Sequence, residues 1–373
     1  MTNAHPSSPR PSRSEARAYQ LSPSYRGVLR ILEYLGPSTQ QIIRGGLVFG
    51  VLSACLPAAP ASIVLAGEVA HASQQTAISS PPSDNGRLSE ISKLADPGDL
   101  ATTREKLSEE VALRGETYRT LFLEAKILFR EQKYRESMKV LERLLKLNQR
   151  DAEIYKLVAS NAILLNRMDI AEQALKDAEQ LAPHDYLVFF HLGALYYTDS
   201  RFPLAQPVLE KSVNLNPNYV PARLFLGLTL EELGQEPSAL DCYLRVIEIA
   251  ERSGFKGELP YLYPGRLLYR QNKLDESLLY LQKAARVNPQ SCESLCLISR
   301  IHTSQGRDSS AVAALNQCVQ ADPKYSEAHY LLSRAYVRQG RKEDAAKELS
   351  QFQSLRKDEQ NKKDPRKNQR ANR

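Results

Sequence analysis

The residues able to do chemistry in this chain are many, but their spacing is not that of a catalytic site. Six His and five Cys stand among 50 Lys and Arg and 43 Asp and Glu. A zinc hydrolase needs two His one helical turn apart, a nucleophile elbow needs a Ser between closely set Gly, and a phosphate cradle needs clustered Gly whose backbone N–H groups converge. The sequence carries no H-E-x-x-H, G-x-S-x-G, G-x-x-x-x-G-K or G-x-G-x-x-G. Cys292 and Cys296 have three residues between them, which is not the C-x-x-C spacing of metal or redox sites. No catalytic residue, metal ligand or cofactor is therefore assigned, and the protein is read as non-enzymatic.

A different chemistry is open to Arg266, Arg300 and Arg334, which recur every 34 residues. A guanidinium grips a carboxylate or phosphate through two parallel hydrogen bonds, so Arg at equivalent places on successive units would form a ladder for an acidic ligand. Arg270 and Arg338 lie one helical turn beyond the first and third rungs. Such a ladder requires elements that repeat with the same period, and they do. Units of 34 residues begin at Tyr118, Ala152, Tyr186 and Val220 and, after a four-residue insertion at 254–257, at Glu258, Cys292 and Ser326. Their eighth residues are Ala125, Ala159, Gly193, Gly227, Gly265, Ser299 and Ser333. Their twentieth are Ser137, Ala171, Ala205, Ala239, Ser277, Ala311 and Ala345. Two antiparallel helices cross closely only where side chains are small, so these positions mark the contact inside a helical hairpin. Large residues fill the twenty-fourth position, from Leu141 to Leu349, and Pro183, Pro217, Pro289 and Pro323 end the second helix. His302 and His329 fall at core positions of their units and are read as structural.

This pattern resembles the tetratricopeptide repeat family. Residues 186–219 carry it most clearly, with Phe189, Leu192, Gly193, Tyr196, Ala205 and Pro217 in the family's places. Departures are Gln149 and Glu251 in place of the terminal Pro, the absence of Trp, and Pro207 and Pro264 inside helical stretches. The resemblance implies an all-α, right-handed superhelical solenoid of seven antiparallel helix pairs, whose first helices line a concave groove for an extended peptide or a partner helix. First-helix residues that do not face the core are then the candidate binding set. In units 1 to 3 these are Phe122, Lys126, Phe129, Arg130, Lys156, Phe190 and Tyr197; in units 5 to 7 they are Arg266, Tyr269, Arg270, Arg300, Tyr330, Arg334 and Arg338. Aromatic anchors would supply affinity, and the Arg strip would orient an acidic peptide. The two-carboxylate clamp of some family members is not reproduced, because Ser160 and Ala194 stand where Asn is wanted.

Two further features follow from the hairpin. Cys292 and Cys318 are the first and twenty-seventh residues of unit 6 and should lie close together. They form either a disulfide, which an exported body would allow, or a pair of small buried thiols. Pro264 removes an intrahelical bond and clashes with the preceding turn, so a break, kink or shortened helix is expected between residues 252 and 266.

Ahead of the repeats, residues 1–44 read as a basic cytoplasmic segment with a short amphipathic helix at 24–35. Residues 45–72 read as a signal or membrane anchor, since 45–67 hold no charge. Leu52-Ser53-Ala54-Cys55 resembles a bacterial lipobox with Cys55 as the lipidated residue, and Ala70-His71-Ala72 offers a competing cleavage site. Each outcome leaves the repeats outside the cytoplasm, periplasmic or membrane-anchored, with cytoplasmic residence as the alternative. Residues 73–101 read as a linker, and 102–117 as a capping helix with a Thr102–Glu105 capping box. Units 1 to 4 occupy 118–253, units 5 to 7 occupy 258–357, and 358–373 read as a disordered basic tail.

The net charge of +7 sits at the ends. Residues 1–46 hold six Arg against two Glu, and 353–373 hold eight Lys and Arg against three acids, leaving 36 basic and 38 acidic residues between them. A near-neutral body is a poor match for the basic stripe of a duplex binder. The resemblance thus implies a scaffold for a protein or peptide and, with export, a setting in envelope assembly or secretion. An accessory subunit that docks a catalytic partner and a nucleic-acid binder using the basic tails are the alternatives.

Overall fold

The computed structural model describes residues 100–147, 151–254 and 257–363. The segments 1–44 and 45–72 with Cys55, most of the linker, Gln149 and residues 364–373 lie outside the described residues. Among those described there are fifteen α-helices and no strand, and the fold is all-α. After α1 (Leu100–Arg114), the helices come in pairs that follow the repeat. Repeat 1 holds α2 (Tyr118–Arg130) and α3 (Tyr134–Lys146), repeat 2 holds α4 (Ala152–Leu164) and α5 (Met168–Leu181), and repeat 3 holds α6 (Tyr186–Thr198) and α7 (Phe202–Leu215). Repeat 4 holds α8 (Val220–Glu232) and α9 (Glu236–Ser253), and repeat 5 holds α10 (Leu259–Arg270) and α11 (Leu274–Val287). Repeat 6 holds α12 (Cys292–Ser304) and α13 (Asp308–Ala321), and repeat 7 holds α14 (Ser326–Arg338) and α15 (Lys342–Lys363).

The chain divides into two compact parts, residues 1–200 and 201–373, with the division between α6 and α7. Within each part every helix packs on its neighbours in sequence, α1 through α6 in the first and α7 through α15 in the second. First helices also touch one another directly, α2 with α4, α10 with α12 and α12 with α14.

The hairpins form for local reasons. Thr117, Asp151, Asp185 and Ser291 cap first helices by accepting a backbone N–H, and Thr117 does so in a reciprocal box with Thr120. At the turn inside every repeat, the fifteenth residue is left-handed: Gln132, Asn166, Ser200, Gly234, Asn272, Gly306 and Gly340 all have φ between 57° and 75°. That conformation lets the next N–H reach back five residues to the helix, as in Lys133 to Leu128 at 2.9 Å and Arg341 to Tyr336 at 2.9 Å.

The small positions act as expected, with added detail. Ser137 Oγ donates to the Ala125 carbonyl at 2.9 Å and Ser277 Oγ to the Gly265 carbonyl at 2.7 Å, so the twentieth residue bonds the eighth. The eighth also faces the twenty-fourth. A Cβ added at Gly227 would stand 2.4 Å from the Tyr243 ring, and one at Gly265 would stand 2.8 Å from Leu281.

Three expectations are corrected, one of them in part. α1 begins at Leu100, so Thr102 lies inside the helix and no longer caps it. α10 is shortened by one residue at its start, within the window expected, but it runs unbroken through Pro264 rather than breaking there. Pro264 is its sixth residue, and the N–H it lacks would have bonded the Pro260 carbonyl, so the loss is one bond near the helix start. The irregularity falls instead on α9, which has Glu251 where repeats 2, 3, 5 and 6 have Pro and extends to 18 residues before Gly254, at φ 67°, ends it. Finally, 358–363 are helical rather than tail. No Gly or Pro, the usual helix breakers, occurs in the sequence between Gly340 and Pro365.

Candidate functional site

In the first part, the first helices turn most of their expected anchors inward. Phe129, Phe190 and Tyr197 are only 6%, 1% and 1% exposed, which removes them as ligand anchors. They sit at the fifth or twelfth place of their repeats, where first helices pack, and Phe129 meets Tyr134 at 5.6 Å between ring centres. Lys156 is half-buried between Asp185 and Glu153, each at 2.6 Å. Burial pulls its ammonium down, but the two carboxylates outweigh this and hold it above its ordinary value. Next to it, burial pushes the His191 imidazole down to about 4, with Lys156 adding to the effect, so this ring is neutral at physiological pH. Lys126 is exposed and rests over the Phe122 ring at 5.6 Å, and Arg130 is half-buried.

The second part carries the Arg ladder. Its lower end is a buried network missed in the sequence. Glu231, in α8, accepts from Tyr243 Oη at 2.5 Å and from Arg270 at 2.7 Å, and stands 3.5 Å from Arg266. Arg266 also reaches Glu293 at 3.9 Å and lies over the Tyr263 ring at 4.9 Å, while Arg270 reaches Glu236 at 3.5 Å. Burial works against the Arg266 charge, but Glu231 and its neighbours more than restore it. A signal for this network was present. Glu231 is an acid at the twelfth place, where repeats 1, 3 and 5 have Phe129, Tyr197 and Tyr269.

Higher up, Arg300 binds Glu327 at 2.7 Å and interacts with Tyr269, and Arg338 binds Asp308 at 2.8 Å. Arg334 is exposed, rests over the Tyr330 ring at 5.9 Å, and has no ion pair among the described residues. The strip is therefore mixed rather than cationic, because in repeats 5 and 6 the Arg at the ninth place meets the Glu at the second place of the following repeat. Repeat 1 does not follow this rule, since Glu153 is taken by Lys156.

Cys292 and Cys318 are joined as a disulfide, with their Cα atoms 4.8 Å apart. The remaining described cysteines, Cys242 and Cys296, are buried thiols that burial pushes up to about 11 and 12. His329 is buried and bonded on both nitrogens, to Glu348 at 2.6 Å and to the Pro323 carbonyl at 3.0 Å. Among the described residues, no group of three or more His, Cys, Asp or Glu is placed to hold a metal, and no helix is long and apolar enough to cross a membrane.

Stacked helical hairpins with charged and aromatic side chains along the first helices define a repeat scaffold for protein interaction. Family models described as tetratricopeptide repeat match residues 122–186, 265–326 and 302–360. Residues 122–186 and 265–360 are thus tetratricopeptide repeats. The chain is similar to the Anaphase-promoting complex subunit CDC16 of Saccharomyces cerevisiae, 25% identical over 142 residues that make 36% of this chain and 16% of that protein. It is also similar to the Cell division cycle protein 27 homolog of Caenorhabditis elegans, 25% identical over 182 residues, 49% of this chain and 23% of that one. The chain thus spans a quarter or less of the length of these curated relatives. Among solved structures, the C-terminal part of a TPR repeat-containing protein from Cytophaga hutchinsonii shares the fold with a TM-score of 0.52 at 16% identity, covering 63% of this chain and 95% of that one.

Proposed function

We propose that this protein is a non-enzymatic scaffold that binds a partner segment along the first-helix strip of repeats 5 to 7. The observation that carries the reading is the set Tyr269, Arg300, Tyr330, Arg334 and Arg338, which present part-exposed rings and exposed guanidinium groups from three successive first helices of one compact part. Arg300 and Arg338 are held by exposed or half-exposed carboxylates, so partner acids would exchange with Glu327 and Asp308 rather than meet free cations. An exposed pair of this kind is worth roughly 0 to 1 kcal/mol, which makes exchange inexpensive. The acidic character of the ligand rests on that exchange.

We propose further that the repeats act outside the cytoplasm, tethered by the apolar segment 45–72, in envelope assembly or secretion. The disulfide inside repeat 6 supports an oxidising compartment. The test of the strip is site-specific photo-cross-linking in cells from position 269, with a control at the exposed Asp241 of the second helix of repeat 4. Cross-links from position 269 that disappear with Arg300→Glu are expected. An unchanged set of cross-links in that variant would remove the strip as the binding surface.

A further inference from the structure

The last described repeat ends on a face that every earlier repeat hides. At the twenty-fourth position Leu141, Leu175, Leu209, Tyr243 and Leu281 are 0% exposed and Leu315 is 1% exposed, but Leu349 is 40% exposed. The twelfth position shows the same trend less sharply: Val337 is 64% exposed, whereas Phe129, Tyr197 and Glu231 are buried and Ile163, Tyr269 and Thr303 are half-buried. Tyr330 is exposed beside Phe352, their rings 5.2 Å apart. The physical reason is the packing order. The second helix of repeats 5 and 6 is covered by the first helix of the next repeat, α11 by α12 and α13 by α14, and among the described residues nothing follows α15. A solenoid normally closes with a polar outer face, whereas this one exposes Tyr330, Val337 and Leu349 together.

The Arg ladder indicates what would sit there. Arg266 meets Glu293 and Arg300 meets Glu327, in both cases the second residue of the next first helix, at 3.9 and 2.7 Å. Arg334 is the third rung, at the same place in its repeat, and its carboxylate is missing among the described residues. A helix seated on α14 and α15, as α14 is seated on repeat 6, would bring its first turn to Arg334, where a carboxylate is also favoured by the helix dipole. Charge argues against a second copy as the occupant, because residues 326–373 hold thirteen Lys and Arg against seven acids and would face their own kind.

We infer that the outer face of repeat 7 is the seat for an amphipathic helix of a partner protein, bearing an Asp or Glu in its first turn that completes the ladder at Arg334. This goes beyond the strip proposed above, because its apolar floor is Val337 and Leu349, which are not part of that strip. Tyr330 and Arg334 are common to both, so the two readings are separated by Val337→Asp and Leu349→Asp, which change no strip residue, and by Arg300→Glu, which changes no floor residue.

The experiment is a selection on the full chain from a phage-displayed library of amphipathic 15-residue helices with randomised first turns, counter-selected against Val337→Asp. Val337 is 64% exposed, so Val337→Asp is expected to leave the thermal melt unchanged, while Leu349, at 40%, is partly packed, so Leu349→Asp is compared at a temperature well below its own melt. Selected helices are expected to be enriched in Asp or Glu in the first turn, to lose at least tenfold in affinity on Arg334→Glu or Leu349→Asp, and to switch to Lys or Arg when the selection is repeated on Arg334→Glu. Failure to obtain helices that distinguish the parent from Val337→Asp would overturn the proposal, as would binders with no charge preference. Sedimentation velocity provides the remaining outcome: a homodimer that dissociates with Val337→Asp would also overturn it and give the face to a second copy.

Discussion

At the scale of single residues, the fifteenth position of each repeat has the clearest energetic consequence. Gly or Asn fills it in five repeats, and both tolerate the left-handed region, Gly because it has no Cβ. Gln132 and Ser200 occupy it at φ 62° and 58° and bear the strain of a side chain there. Gln132→Gly is expected to stabilise the protein by about 0.5–1 kcal/mol, read as a higher denaturation midpoint at unchanged m-value, with Gly234→Ala moving the opposite way. This pattern was visible in the sequence as a run of Gly and Asn at 34-residue spacing. Gln132 and Ser200 broke it, because a turn conformation imposed by the packing of two helices overrides the preference of one residue.

At the scale of elements, the hairpin depends on how closely its helices approach. In repeat 4 the space at the eighth position is tighter than in repeat 5, since Tyr243 takes the place of the usual Leu and its ring lies against Gly227 while its hydroxyl is tied to Glu231. Neither ring nor backbone can yield freely. Gly227→Ala is expected to destabilise by about 1–3 kcal/mol through overpacking, measured by chemical denaturation. The cost should shrink in the Gly227→Ala/Tyr243→Leu pair, and a purely additive pair would show that ring and glycine are not coupled. The elements themselves were legible from the 34-residue period, small positions and terminal Pro. Their ends were less so. α9 overran its boundary where Glu251 replaced Pro, α10 continued past Pro264 because the loss fell in its first turns, and α15 outlasted its repeat because no breaker stood in its way.

At the scale of the whole molecule, the disulfide and the amino-terminal segment bear on the same proposal. Export through the segment 45–72 predicts a mature protein, expressed from its own amino terminus, in which alkylation of the denatured but unreduced chain labels Cys242 and Cys296, buried in the fold, and leaves Cys292 and Cys318 unmodified. Its intact mass should begin at Cys55 with added acyl chains or at Ser73, or retain the full chain in the membrane fraction. A full-length, fully alkylated chain in the cytosolic fraction would overturn export. The fold class, the count of helix pairs and the ladder of equivalent Arg were all determined by the sequence alone, because periodic burial leaves a periodic trace. Which ladder residues are free was decided only in three dimensions. Phe129, Phe190 and Tyr197 look like anchors in sequence and are buried, Arg266 looks like a free cation and is enclosed by Glu231 and Glu293, and Val337 and Leu349 look like core and are exposed. Periodicity specifies where a side chain sits on its own helix, but exposure and pairing depend on what the neighbouring repeat places against it, or on there being no such repeat among the described residues.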